Sequence, residues 1–371
     1  MTDQRVTKLA YNLVNFSIKV KKGEKVLIEA SDVDFVLVNA LIKQVYEVGG
    51  LPFVHLQNNR VQREILLGIS QQYADKLTEY FRPRMQDMDC YIAVRGAENA
   101  FETSDVPNEK TEIYNKFFHH PVHNEVRVKK TRWCVLRYPT PSFAQLMGTS
   151  TDAFEDYYFD VCNLDYSKMD KAMDGLVQLL DKTDKVQIKG PGTDLTFSIK
   201  DIPANKCSGE HNIPDGEVYT APVKNSINGV ISYNTPSIRE GFQFENIVLK
   251  FKDGKIVDAS ANDSQKINKI FDTDQGARFV GEFSLGVNPY ITKGCGELLF
   301  DEKISGSIHL TPGQCYNEAY NGNQSAIHWD LVLVQTKEQG GGEIYFDDIL
   351  VRKDGIFVIK QLECLNVQNL K

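Results

Sequence analysis

Near residue 185 the chain changes its periodicity, and that change restricts the folds open to it more than any single motif. Before it, apolar strand runs alternate with helical patterns. Val6, Leu9, Leu13 and Val14 mark an amphipathic helix that leads into the strand Lys25-Val26-Leu27-Ile28-Glu29-Ala30. A helix over 34–47 stops at Gly49-Gly50, where glycine supplies the left-handed backbone that closes helices. Strands follow at 52–56, 89–94 and 133–136, then helices over 152–162 and 166–180. Strands spaced by helices pair in parallel through right-handed βαβ crossovers. From Lys185 onward the runs shrink to short strands at 186–188, 195–199, 229–231 and 247–251, broken by Gly, Pro, Asn and Asp. The predicted fold class is α/β, with an N-terminal parallel-sheet βαβ domain over 1–184 and a β-rich α+β domain over 185–371. A chain of 371 residues can give each half its own core.

Acidic residues outnumber basic ones, for a formal net charge of −8, which argues against nucleic acid or an anionic membrane as partner. The basic run Arg127-Val128-Lys129-Lys130-Thr131-Arg132 is short and reads as a solvated face. The amino terminus lacks the apolar stretch of a signal peptide, and no run approaches the ~20 uncharged residues of a membrane helix. A cytoplasmic protein is expected. Seven cysteines are scattered without a C-x-x-C pair and read as reduced thiols.

Chemistry concentrates in the second half. In Ser325-Ala326-Ile327-His328-Trp329-Asp330, strand periodicity would put His328 and Asp330 on one face while Ile327, Trp329 and Leu331 fill the other. His309 interrupts Gly306-Ser307-Ile308-His309-Leu310, and Glu282 interrupts Gly281-Glu282-Phe283-Ser284-Leu285-Gly286. A lone histidine in an apolar strand is more often a packed core residue than a ligand. Three such interruptions of apolar runs, each using a metal-ligand residue type and with no excess of Lys or Arg beside them, point instead to one shared polar site, because isolated ionised groups are costly to bury. In the first half, His119-His120-Pro121-Val122-His123 offers three imidazoles. Pro121 opposes a helix through the cluster, so it reads as a solvated loop without chemistry. No G-x-G-x-x-G or P-loop follows a strand.

The blocks Pro214-Asp215-Gly216-Glu217-Val218, Asp274-Gln275-Gly276-Ala277-Arg278, Gly281 to Gly286, Gly306 to Leu310 and Ser325 to Asp330, in this order, resemble the M29 metallo-aminopeptidases. Lys22 to Ile28 extends the resemblance to the amino-terminal half. It implies that Glu217, Glu282, His309, His328 and Asp330 hold two divalent metal ions per chain, and that Tyr316 supplies a catalytic hydroxyl. Nitrogen and oxygen ligands suit Zn²⁺, Co²⁺ or Mn²⁺ alike. The implied activity is release of N-terminal amino acids from peptides with a free N-terminus by a metal-activated water, with Glu217 or Glu282 as proton acceptor, in a homodimer. The stretches 316–325 and 194–217 are shorter than the family pattern, which bears on substrate preference and subunit geometry. Two alternatives stay open: a dinuclear hydrolase of another amide or of a phosphoester, and a non-catalytic protein that uses metal only for folding.

Overall fold

The computed structural model describes residues 3–239, 242–294 and 297–371, and Cys295 lies outside them. It is an α/β protein whose described residues form a parallel five-stranded sheet and antiparallel sheets of eight, five and two strands. Contacts divide it into one unit of the residues up to Asn163 together with Gly209–Ile213, and a second of Leu164–Ser208 with Pro214–Lys371.

In the first unit, α1 (Gln4–Asn12) and a π-helical turn bury Val6, Leu9, Leu13 and Val14. Strands β1 (Lys25–Ser31), β2 (Leu51–Gln57), β3 (Cys90–Arg95) and β4 (Arg132–Arg137) stand in the order β2-β1-β3-β4, all parallel, and Asn212–Ile213 adds to β4. The α2 helix (Phe35–Glu47) is capped by the Asp34 carboxylate, which accepts from the Val36 amide, and ends where Gly49 takes φ +83°. Helices α3 (Asn59–Gly68) and α4 (Gln71–Gln86) follow β2. Leu27, Tyr91 and Ala93 on one sheet face pack with Met85, Phe118, Val122 and Val126.

Two local expectations for this unit are corrected. The histidine cluster is not a solvated loop: Asn115–Arg127 is a π-helix that runs through Pro121 and buries His123. Pro121 donates no backbone hydrogen bond in either winding, but Thr78 Oγ1 donates to the Phe117 carbonyl one turn before it, and burial of Phe118, Val122 and Val126 holds the segment on the sheet. The rings of His119 and His123 stack 4.7 Å apart, and burial pushes the His123 imidazole down to about 4, which keeps it neutral. Nor is the basic run uniformly solvated, because Arg127 is buried, 4.3 Å from the Trp133 ring and 5.3 Å from Tyr91.

In the second unit an eight-stranded antiparallel sheet, including Lys185–Gly190, Thr193–Ser198, Asn228–Ser232 and Val248–Lys252, accompanies a five-stranded one. The helix Tyr166–Leu180 belongs to this unit, which takes in Leu164–Ser208 and Pro214–Lys371. Its buried face, Met169, Met173, Leu176 and Leu180, packs on this unit, and Asp174 takes an ion pair from Lys206 at 2.7 Å. Helical periodicity shows that a face is buried but not against which sheet.

Candidate metal centre

The five-stranded sheet of the second unit consists of β5 (Asn205–Cys207), β6 (Glu217–Thr220), β7 (Val280–Gly286), β8 (Ser307–Pro312) and β9 (Leu331–Val334), antiparallel in the order β9-β8-β7-β6-β5. Side chains alternate across a strand, and register carries that alternation from strand to strand. Ser284 stands opposite both Tyr219 and His309, and Glu282 opposite Thr311. One face therefore collects Glu217, Glu282, Ser284, His309 and Thr311. The other is apolar, with Phe283, Leu285, Ile308 and Leu310 fully buried. Phe283 meets Phe197 of the eight-stranded sheet edge to face at 5.0 Å.

The segment 325–330 departs from expectation. It is irregular apart from a single bridge between His328 and Gly313, and β9 begins only at Leu331. Local anchors replace a strand ladder: the Asp274 carboxylate accepts from Ser325 Oγ and the Ala326 amide, and Asn323 Nδ2 donates to the Gly313 carbonyl. The backbone nevertheless alternates, because Ile327 and Trp329 are buried while His328 Nε2 lies 3.3 Å from Asp330 Oδ1.

Four of the expected ligands meet through the fifth, Glu282. Its Oε1 is 3.4 Å from His309 Nε2 and its Oε2 is 3.3 Å from His328 Nε2. Glu217 Oε2 is 3.3 Å from the same nitrogen of His309. Two groups result, Glu217–Glu282–His309 and Glu282–His328–Asp330, each with its donor atoms within 4.8 Å of one another. Neighbouring groups fix the orientation, as is usual around metal ligands. His328 Nδ1 is 2.8 Å from the Gln314 carbonyl, which turns Nε2 inward, and Thr311 Oγ1 donates to Asp330 Oδ1 at 2.6 Å. His309 Nδ1 is buried without a partner, so Nε2 is the nitrogen it offers. These atoms are all nitrogen or oxygen, which fits a divalent cation of intermediate hardness.

Electrostatics agree with that fit. Burial opposes the charge of Glu282, but hydrogen bonds from His309 and His328 prevail and hold its carboxyl below the usual range. Burial likewise opposes protonation of the imidazoles, yet the carboxylates around them raise His309 to about 10 and His328 to about 11. Carboxylates packed this closely call for positive charge, which protons supply when nothing else does.

Tyr316 lies on the loop after β8, its ring 4.9 Å from His328 and 5.4 Å from Tyr219, with about half of its surface exposed (45 %). Desolvation, then the charges of Glu282 and Asp330, hold its phenol well above the usual range. It is a hydroxyl donor, not a phenolate.

Sequence reasoning missed Lys303. Lys303 is almost wholly buried (side chain 2 % exposed), 2.5 Å from Glu217 Oε1, 2.7 Å from Glu302 and 3.5 Å from Asp215. Its ammonium occupies the space between Asp215 and Glu217 in a third acidic group, Cys207–Asp215–Glu217. Burial holds the Cys207 thiol protonated, so a thiolate site is not formed there. In sequence Asp301-Glu302-Lys303 is a short charged run, and nothing local marks it for burial.

The model of the thermophilic metalloprotease family M29 matches residues 2–347 of the chain. Aminopeptidase T of Thermus aquaticus is 24 % identical over 401 residues, 94 % of this chain and 95 % of that protein. Among solved structures, wild-type AmpT from Thermus thermophilus superposes with a TM-score of 0.79 at 21 % identity, covering 96 % of this chain and 99 % of that one. The 2,5-dihydroxypyridine dioxygenase of Pseudomonas putida KT2440 superposes at 0.63 with 12 % identity over 96 % of this chain and 98 % of that one. These two likenesses concern the fold, which can carry different chemistries, so function has to be argued from the site.

Proposed function

The chain belongs to the M29 family of thermophilic metalloproteases, and on that premise we propose that it is an aminopeptidase that releases residues one at a time from peptides with a free N-terminus, using two divalent ions. The observation that carries the reading is Glu282, whose two oxygens face two different imidazoles, so that one carboxylate belongs to both of the donor groups that would hold an ion. Glu217, Glu282 and His309 would hold one ion and Glu282, His328 and Asp330 the other. Zinc, cobalt or manganese would each be accepted. Bound there, such ions polarise a carbonyl oxygen and lower the pKa of water toward neutrality.

The chain's own groups do the rest. Tyr316 donates its hydroxyl to the oxygen of the scissile carbonyl as negative charge develops on it, in the manner of an oxyanion-hole donor. A carboxylate of the cluster, Glu217 or Glu282, takes the proton from the attacking water. Lys303 and Ser284 hold the two oxygens of Glu217 separately, Oε1 from the ammonium side and Oε2 from the hydroxyl at 3.0 Å, so that Oε2 is the oxygen presented to the site. A neutral free amine is a further nitrogen ligand of the kind this site accepts, whereas an acylated nitrogen is not, which accounts for action at chain ends.

A phosphoester substrate finds less support, because Arg278 is engaged by Asp272 at 2.7 Å and by the Ile256 carbonyl. A purely structural metal site does not call for a half-exposed tyrosine at its edge. A cytoplasmic homodimer is the proposed setting, and the partly exposed Phe53, Val54 and Leu56 of the edge strand β2 support a second copy. No described helix is long and apolar enough to cross a membrane. The test is metal analysis of active protein together with cleavage of leucine p-nitroanilide and its N-acetyl derivative. Two ions per chain and rejection of the acetylated substrate are expected. Full activity with only trace metal overturns the metal mechanism, and efficient cleavage of the acetylated substrate overturns the aminopeptidase assignment.

A further inference from the structure

The first unit contains a cavity of about 690 Å³ with which the hydrolytic chemistry above has no concern. It lies at the carboxyl ends of the parallel strands. Register puts Gln57, Ser31, Arg95 and Arg137 in one row across β2-β1-β3-β4, and the four close the ends of those strands. All four line the cavity. One step further in, the same face presents His55, Glu29 and Ala93, which line it too. The chain builds outward from β1 to β2 on one side and to β3 on the other, so the cavity opens where the strand order reverses. In open α/β sheets that crevice is where ligands bind, and the volume lies within the range of small-molecule sites.

Charge and shape specify the ligand. Three guanidinium groups, Arg84, Arg95 and Arg137, line the cavity against one carboxylate, Glu29. Glu29 is already answered, since Tyr91 donates to it at 2.9 Å and His55 Nδ1 stands 3.4 Å away. Among the described residues no side chain hydrogen-bonds or ion-pairs with Arg84 or Arg95. Behind the sheet-facing wall, the buried Arg127 leaves Nε and Nη1 without hydrogen-bond partners, which adds positive potential on the same face. An apolar and aromatic stretch of wall, Ile65, Leu77, Phe81, Tyr114 and Phe118, stands beside polar groups that include Asn58, Asn59, Gln62, His119 and His123. Part of it comes from the π-helix Asn115–Arg127, a form of helix found often at functional sites.

We propose that this cavity is a second ligand site, which binds a small organic anion with its acidic group on Arg95 and Arg84 and its apolar body against Phe81 and Phe118. Arginine suits carboxylates and phosphates because its planar fork meets two oxygens at once. The aromatic wall adds contact area that inorganic ions cannot use.

Calorimetric titration of the metal-loaded protein tests this, with phenylacetate as one probe and inorganic phosphate as the other. Phenylacetate should bind with a stoichiometry of one per chain. Arg95→Gln and, separately, Arg84→Gln should weaken it by about tenfold or more, the worth of one charge-assisted hydrogen bond, while the melting temperature and the cleavage of leucine p-nitroanilide stay as in the parent. Arg95 sits exposed at a strand end, so the fold survives that change. Binding of phosphate but not phenylacetate overturns the proposal, as does absence of binding by both. Phenylacetate binding that both arginine variants retain and Glu282→Ala removes would place the anion at the metal centre and overturn it as well. Failure of the peptidase assay leaves the binding and melting readouts intact, so the two readings fail separately.

Discussion

The ammonium of Lys303 lies 2.5 Å from Glu217 Oε1, with both side chains almost wholly out of solvent. The pair fixes one oxygen of a proposed ligand and leaves the other free to face His309, 3.3 Å away. Removing one partner of a buried ion pair costs about 3–5 kcal/mol, because the remaining charge is stranded. Lys303→Met should therefore destabilise the metal-free protein by about that amount and the metal-loaded protein by less, since bound cations answer the stranded carboxylates. Denaturant unfolding of both forms checks this, and equal small losses in the two would show that Lys303 merely packs.

Glu282→Ala removes the one carboxylate common to the two groups that contain an imidazole. The variant should lose turnover and at least one of two ions, measured by metal analysis after exhaustive dialysis. Retention of both ions would dissolve the argument from the shared carboxylate.

Stability of the metal-free protein should fall as pH rises above neutrality. His309 and His328 are raised to about 10 and about 11 by their carboxylate neighbours, from about 6.5 in the unfolded chain. A group with a raised folded pKa stabilises fully below its unfolded value and loses that contribution as pH climbs toward the folded one. Metal ligation needs neutral imidazole, so metal affinity should rise over the same range. Calorimetric melting of chelator-treated protein between about pH 7 and 9.5 should show a falling melting temperature, and a rise there would contradict the ion-pair geometry.

Converting His119, His120 and His123 together to Gln should leave kcat within a small factor of the parent. No described triad able to hold a metal includes them. The melting temperature should drop, because His123 is buried and stacked on His119, and an amide buried there without partners costs about 1–3 kcal/mol. Loss of bound metal in this variant would relocate the site.

Tyr316→Phe should lower kcat by about 10²–10³-fold with KM nearly unchanged and both ions retained, the signature of a donor used in the transition state. Tyr320→Phe, four residues on and also exposed, is the control and should behave as the parent. The reverse pattern would assign the hydroxyl to Tyr320.

The alternation of strands and helices before residue 185, and its loss after, was readable because the periods of 3.6 and 2 are local properties of the chain. So was the setting of Glu282, His309, His328 and Asp330, because a metal-ligand residue type inside a buried apolar run stands out wherever the run lies. Glu217 and Tyr316 had no such local mark and came only from resemblance. Other features depended on which distant segments meet. Nothing local in Asp301-Glu302-Lys303 marks Lys303 for burial, and only the approach of β6 to the turn before β8 makes it a buried counter-charge. Arg127 and His123 looked solvated until the π-helix laid them on the parallel sheet. The helix Tyr166–Leu180 showed its apolar face in sequence, yet its unit was decided by the sheet that covers that face. Periodicity tells a residue which way to point, and register and packing across the chain decide what it finds there.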